Sequence, residues 1–231
     1  EAALVPAGTD IDDWENIEWK EILPKSPLDP GSQNFYECQS GEIFSHLRLH
    51  IYPDGGVARL KVYGEVFKDW NNIDKNMEID LAAAINGAKA IQCNDMFFSS
   101  MNNLLMPGRG VNMGDGWETK RNRTPGNRDW VIIKLAHPGT IERVLVDTHH
   151  FKGNYPDSCS IEGRFSESNE SLTNGATDWE VILPQQKLQA NKEHVFITKP
   201  ISDSSFSHVR LNIFPDGGIS RLRLFGKIKD Q

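Results

Sequence analysis

Two stretches of this 231-residue chain repeat each other, and the duplication constrains the fold more than any other feature. Residues 44–66 read FSHLRLHIYPDGGVARLKVYGEV and residues 206–228 read FSHVRLNIFPDGGISRLRLFGKI, with 13 of the 23 positions identical. Most of the others exchange like for like, as in Val57/Ile219, Lys61/Arg223 and Tyr63/Phe225. A second anchor pairs WKEILP at 19–24 with WEVILP at 179–184. The offsets, 206 − 44 = 162 and 179 − 19 = 160, differ by a two-residue insertion and define a unit of about 160 residues. At that offset Glu1 falls opposite Ile161, so the chain should hold the back part of one unit (1–70) and one complete unit (71–231). The polar segment 67–76 is the expected linker. With no starting methionine, the chain reads as a fragment, a processed form or a truncated isoform of something longer.

Periodicity gives the class. In the first copy Leu47, Leu49 and Ile51 alternate with His46, Arg48 and His50, which is the period-two pattern of a half-buried strand. The second copy repeats it with Val209, Leu211 and Ile213 inward and His208, Arg210 and Asn212 on the other face. Pro-Asp-Gly-Gly supplies a turn, and VARLKVYGEV or ISRLRLFGKI supplies the next strand. Further strands are expected at 129–136, 141–149, 159–166 and 178–184. One helix is expected over Ile79 to Gln92, where Leu81-Ala-Ala-Ala and Ala88-Lys-Ala favour it despite Gly87. Many short strands between Gly, Pro and Asn turns, with little helix, imply an all-β antiparallel sandwich or jelly roll.

Composition narrows the classes of function. With 25 Lys+Arg against 32 Asp+Glu the net charge is −7, which argues against a nucleic-acid partner. No apolar run approaches the roughly 20 residues needed to span a bilayer, and the first residues lack the pattern of a secretory signal. Cys38, Cys93 and Cys159 are widely spaced with no C-x-x-C, so neither a disulfide framework nor a zinc site is expected. Reduced thiols point to an intracellular protein. The triplets Asn122-Arg-Thr and Asn169-Glu-Ser match the glycosylation pattern but arise easily by chance.

No familiar catalytic signature is present: no G-x-S-x-G, H-E-x-x-H or G-x-x-x-x-G-K-[ST], and no dinucleotide fingerprint. Two polar loops of the complete unit stand out instead, 107–123 and 147–156. Glycines at 108, 110, 114 and 116 allow close approach of backbone to a ligand. Arg109, Arg121 and Arg123 offer forks for a carboxylate. Asp115 and Glu118 suit acid–base work or hard metal ligation, and Asp147, His149 and His150 add titratable groups at a strand end. Against these stand plainer readings. A Gly-rich loop is as often a tight connection, Trp117 more often packs, adjacent histidines cannot both face one way in a strand, and Asp147 can simply cap a turn. The His46/Arg48 and His208/Arg210 pairs recur in both copies, as a ligand-facing, solvated or subunit-contact face would.

The strings GRGVNMGDGWETKRNR (108–123), DWVIIKLAHPGTIERVLVDTHHFKGNYPDSCSIEG (129–163) and FSHVRLNIFPDGGISRLRLFG (206–226) closely resemble the allantoicase family over nearly the whole chain. The resemblance implies tandem jelly-roll repeats related to galactose-binding-like domains. It implies hydrolysis of allantoate to ureidoglycolate and urea in purine degradation, by a homo-oligomer that is cytoplasmic or peroxisomal. It implies catalytic roles for Asp115, Glu118, His149 and His150, and substrate contacts from Arg109, Trp117, Arg121, Lys152, Asn154, Tyr155, His208 and Arg210. Arg121 or Arg109 would clamp the substrate carboxylate; Lys152 and Asn154 would bond ureido oxygens. The resemblance fixes no cofactor; a divalent metal held by the acidic and histidine groups fits the chemistry, though no spacing demands one. The first copy departs from the family pattern, because its G-W-E loop and D-T-x-x-F segment are absent. Two alternatives stay open: a non-catalytic jelly-roll module binding a ligand or protein, and an inactive truncated member.

Overall fold

The computed structural model describes residues 1–6, 8–9, 15–38, 40–167, 178–198 and 204–229. It divides into two compact units, Glu1–Gly64 and Glu65–Gln231. Asn169 of the second glycosylation triplet lies outside the described residues.

In the first unit β1 (Ala2–Ala3) pairs antiparallel with β2 (His46–Leu47), in the register Ala2↔Leu47 and Ala3↔His46. Arg48 stacks over Trp19, 4.4 Å from the ring centroid, while its Nε donates to Glu1 Oε2 at 2.8 Å. The second unit reproduces this group, with Arg210 4.6 Å over Trp179 and its Nε donating to Glu162 Oε2 at 2.8 Å. The offsets of 160, 162 and 161 match the sequence repeat. The local geometry of the duplication therefore survives in both copies.

The expected strands of the first copy mostly do not form: among the described residues only His46–Leu47 is extended and paired there, and 57–66 carries no strand. Leu49, Ile51, Val57, Leu60 and Val62 are exposed, whereas their counterparts Leu211, Ile213, Ile219, Leu222 and Leu224 are fully buried. The cause is pairing. A strand needs neighbours for its ladder and a layer for its apolar face. In the second unit those neighbours are residues 129–139 and 158–164.

The second unit is all β among the described residues, with only short 3-10 segments. Its strands are β3 (Ile79–Asp80), β4 (Lys89–Cys93), β5 (Trp117–Glu118), β6 (Asp129–Gly139), β7 (Arg143–Asp147), β8 (Ser158–Arg164), β9 (Glu180–Lys187), β10 (Glu193–Ile197), β11 (Phe206–Phe214), β12 (Gly218–Ile219) and β13 (Arg221–Gly226). One sheet runs β4-β6-β11-β8-β9 and the other β10-β7-β13-β3, all antiparallel, with β12 and β5 forming a small ribbon. The chain passes repeatedly between the sheets, as in a jelly roll. Val131, Ile133, Cys159, Ile161, Val209, Leu211 and Ile213 of one sheet pack on Val144, Val146, Leu222 and Leu224 of the other. Each such side chain contributes about 1.5–3 kcal/mol by leaving water.

The helix expected over Ile79 to Gln92 is absent. That stretch forms β3, a 3-10 turn at Ala84–Asn86 and β4. Tertiary contact overrides propensity here. Leu81 donates its N–H to Leu224 O at 2.8 Å and buries its side chain, and Gly87 at φ 107° ends the turn in a left-handed conformation no α-helix continues through.

Candidate functional site

β7 ends beside the start of β13, with Asp147 opposite Arg221, and the loops 104–118 and 147–156 fold over them. Asp147, the last residue of β7, is 1% exposed. Its Oδ2 accepts from Arg109 Nε at 2.9 Å, and its Oδ1 accepts from Arg109 Nη2 at 3.4 Å and from the His149 N–H at 2.9 Å. The hydrogen bond it donates to Asp147 holds the Arg109 guanidinium above its ordinary pKa, while about half of that side chain stays open to solvent. Thr148 pins the following turn through Oγ1 to Gln189 O at 2.6 Å.

The two histidines come next. His150 sits at φ 69°, a left-handed backbone, with its N–H on Asn191 Oδ1 at 2.8 Å and Nε2 donating to Gly110 O at 3.0 Å. That turn breaks the strand alternation, so the two rings face each other at 3.9 Å instead of diverging. His149 Nδ1 is buried and has no hydrogen-bond partner among the described residues.

Across the site, Arg221 opens β13 and is 3% exposed. Its Nη2 reaches Asp115 Oδ2 at 2.8 Å, its Nη1 reaches Asp115 O, and its Nε reaches Gly108 O at 3.2 Å. Val111 N–H also donates to Asp115 Oδ2, at 3.1 Å. Burial pushes the Asp115 carboxyl up, but Arg221, the Val111 N–H and the nearby His150 outweigh it and hold it below its ordinary value. Asp115 is therefore a fixed anion at neutral pH. It tethers the loop. Two positions away, Arg223 donates to Met106 O and Gly108 O and lies 3.5 Å from Asp80. Two arginines from one strand face thus clamp the Gly-rich loop.

Glu118, on β5, accepts from Asn154 Nδ2 at 2.5 Å, and Asn154 Nδ2 also lies 3.8 Å from Met113 Sδ. Phe151 is fully buried between the loops; a Cβ on Gly218 would collide with its ring, so close packing demands glycine there. Arg109, Asp115, His149, His150, Glu118 and Asn154 thus line connected segments of one loop cluster.

The other expected residues lie elsewhere. Trp117 is fully buried, its Nε1 donating to Asp95 O at 2.9 Å, so it packs in the core and offers no platform. His208 is buried near the far end of β11, six residues or roughly 20 Å from Phe214. Burial, with Lys134 and Arg164 nearby, pushes its pKa down to about 4. Arg210 is engaged by Glu162 and Trp179 on the same sheet. Tyr155 is half-buried against the core, and Lys152 is exposed on its turn. Arg121 lines a separate cleft with Asn94, Asp95, Lys120, Asn122, Arg123 and Asp129. Among the described residues no group of three or more His, Cys, Asp or Glu side chains is disposed to hold a metal ion. Sequence reasoning missed Arg221. Its signal was the retention of an arginine at that point of both copies, Arg59 and Arg221.

The family model described as the allantoicase repeat matches residues 1–67 and 79–229. A probable allantoicase of Pseudomonas fluorescens is 54% identical over 217 residues, covering 93% of this chain and 65% of the relative. One from Stutzerimonas stutzeri is 53% identical over 212 residues, covering 91% of this chain and 64% of the relative. The crystal structure of the allantoicase of Saccharomyces cerevisiae superposes with a TM-score of 0.57 at 44% identity, over 64% of this chain and 43% of that one. The chain spans about 65% of the length of the curated relatives it matches. No helix among the described residues is long and apolar enough to cross a membrane.

Proposed function

We propose, from the premise that the chain belongs to the allantoicase family, that it hydrolyses allantoate to ureidoglycolate and urea through its second unit. The observation that carries the reading is that one buried carboxylate, Asp147, holds both the Arg109 guanidinium and the His149 backbone N–H, with the His149 and His150 rings 3.9 Å apart beside it. We take 71–231 as the complete repeat that hosts this chemistry.

Allantoate carries a carboxylate on a carbon that bears two ureido groups. Hydrolysis breaks one C–N bond at that carbon: the departing nitrogen takes a proton, and a water oxygen replaces it while losing one. Arg109, half-exposed and fixed by Asp147, holds the substrate carboxylate with the guanidinium face that Asp147 leaves open. His149 and His150, ring to ring, deliver the proton to the urea nitrogen and take one from water. Glu118, held by Asn154, accepts from ureido N–H groups. Asp115 orients the loop. Assembly as a homo-oligomer, in the cytoplasm or peroxisome and without a nucleic-acid partner, belongs to the same proposal, supported by the family resemblance and the acidic charge. Urea release from allantoate tests the reading: release is expected from this chain, and none at any substrate concentration refutes it.

A further inference from the structure

A strand at the end of a sheet leaves one row of backbone groups open to further pairing, and folded proteins usually blunt such edges. Three of the strands that end the two sheets of the second unit are blunted. β3 has only two residues. β4 shifts register between Ala90 and Gln92. β9 shifts register twice against β8 and holds Pro184, which has no N–H to donate. β10 carries none of these devices. It pairs with β7 over Glu193–Ile197 without a register shift, and among the described residues no strand lies on its other side.

The ladder fixes what that edge presents. Lys192 O accepts from the Thr148 N–H, and the Thr198 N–H donates to Glu142 O, both at 3.0 Å. Bonded residues alternate along an antiparallel ladder, so 192, 194, 196 and 198 face β7. The N–H and C=O groups of Glu193, Val195 and Ile197 therefore point to the open edge. Their side chains share the outer face of the sheet, where Val195 is 54% and Ile197 75% exposed. Glu193, at one end, lies 3.7 Å from Arg109. The strand is held from beneath: buried His194 bonds Val146 O through Nδ1 at 3.1 Å, its Nε2 accepts from the Gln189 N–H at 2.9 Å, and Phe196 packs against the core. A regular, preformed edge with exposed β-branched side chains is what an added strand requires.

We infer that β10 is a self-association edge, on which β10 of a second copy of this chain adds antiparallel about a two-fold axis and makes one continuous sheet from two four-stranded ones. Register selects the occupant. Bonds across the edge can form only between outward-facing residues. Symmetric pairing centred on Val195 would set Glu193 against Ile197 of the other copy, and pairing centred on His194 would set Glu193 against Val195. Pairing centred on Phe196 sets Val195 against Ile197 on both sides of the axis, apolar on apolar, each pair exchanging both of its N–H···O bonds. The match is of β10 with itself, so a second copy supplies it without any other partner. This names a surface for the homo-oligomer proposed above but stands on the edge geometry alone.

Sedimentation equilibrium of the whole chain and of its Val195→Lys, Ile197→Lys double variant tests the inference. Wild type should sediment at no less than twice the chain mass. The lysines, at exposed positions, should raise the dissociation constant about tenfold or more while the circular dichroism spectrum stays unchanged. Cross-linking on a Cys38→Ser background, which removes an exposed native thiol, reads the register. Opposed residues that exchange both bonds lie about 5.5 Å apart at Cα, within reach of a disulfide. Mixing Val195→Cys chains with Ile197→Cys chains under mild oxidation should give a disulfide-linked pair, and neither variant alone should. A monomeric wild type, undiminished association of the lysine variant, absence of the mixed cross-link, or equal cross-linking of either variant alone would each overturn the inference. Association that survives the lysines would leave the homo-oligomer standing on another surface and remove this one. No step reads urea release, so failure of the catalytic reading would leave this inference in place.

Discussion

Replacing Arg221 by Met isolates what ties the Gly-rich loop to the sheet. The substitution keeps length and burial but removes the donors to Asp115 Oδ2, Asp115 O, Gly108 O and Ser220 O. Breaking a buried ion pair costs about 3–5 kcal/mol when the surviving charge stays dry. Asp115 is about one-third exposed and can rehydrate, so its share is discounted. The remaining loss includes carbonyls whose charged donor disappears, at about 1–3 kcal/mol each where water cannot replace it. A net cost of about 3 kcal/mol follows, which for a domain of this size lowers Tm by roughly 6–12 °C. The pH dependence carries the sharper signature. The folded Asp115 carboxyl is held below its ordinary value, so the unfolded chain binds that proton first as pH falls. The pair's contribution is then full above the unfolded value near 4 and disappears as pH drops through the folded one. Scanning calorimetry of wild type and Arg221→Met from pH 7 to pH 3 should show the Tm gap narrowing in acid. A gap under 2 °C at pH 7, or one that does not shrink in acid, would refute the reasoning.

The matched positions Leu49 and Leu211 make an internal control: Leu211→Ala should cost about 2–5 kcal/mol by denaturant unfolding, and Leu49→Ala, about half exposed, within about 1 kcal/mol. His208 is depressed to about 4, so its neutral form stabilises the fold above the ordinary histidine value. That contribution, up to about 3 kcal/mol, should be lost between about pH 6.5 and pH 4, and His208→Gln should flatten urea-melt stabilities across that window. Exposed Cys38 should react with a thiol reagent in the native protein. Buried Cys159, its thiol pushed up to about 12, should react only on unfolding, as quantitative labelling with and without denaturant will show.

The second copy of the repeat was readable because its alternation coincides with true burial: Val209, Leu211 and Ile213 point inward as their spacing implies. The same pattern misled in the first copy, since alternation records what a strand would bury, and among the described residues Leu49 and Ile51 join no sheet and stay exposed. The alanine-rich stretch after Ile79 misled for the converse reason: small apolar residues suit a helix, yet they also fit the tight approach of a strand turn to β13. Within the site, Arg109, His149 and His150 stood in conspicuous polar loops. Arg221 looked like one more charged residue in an alternating strand, and only topology sets it beside Asp115. Arg121 follows Glu118 by three residues, yet Arg121 lines the cleft with Asn94 and Asp129 while Glu118 meets Asn154, so nearness in sequence gave no guide to where each sits.

The most direct test of the account is kcat/KM for urea release from allantoate by the chain and by its His149→Ala variant, with thermal melts confirming that both are folded. General acid–base participation predicts a loss of about 100-fold or more in the variant. An unchanged kcat/KM would contradict the assignment of the chemistry to the Asp147-anchored cluster.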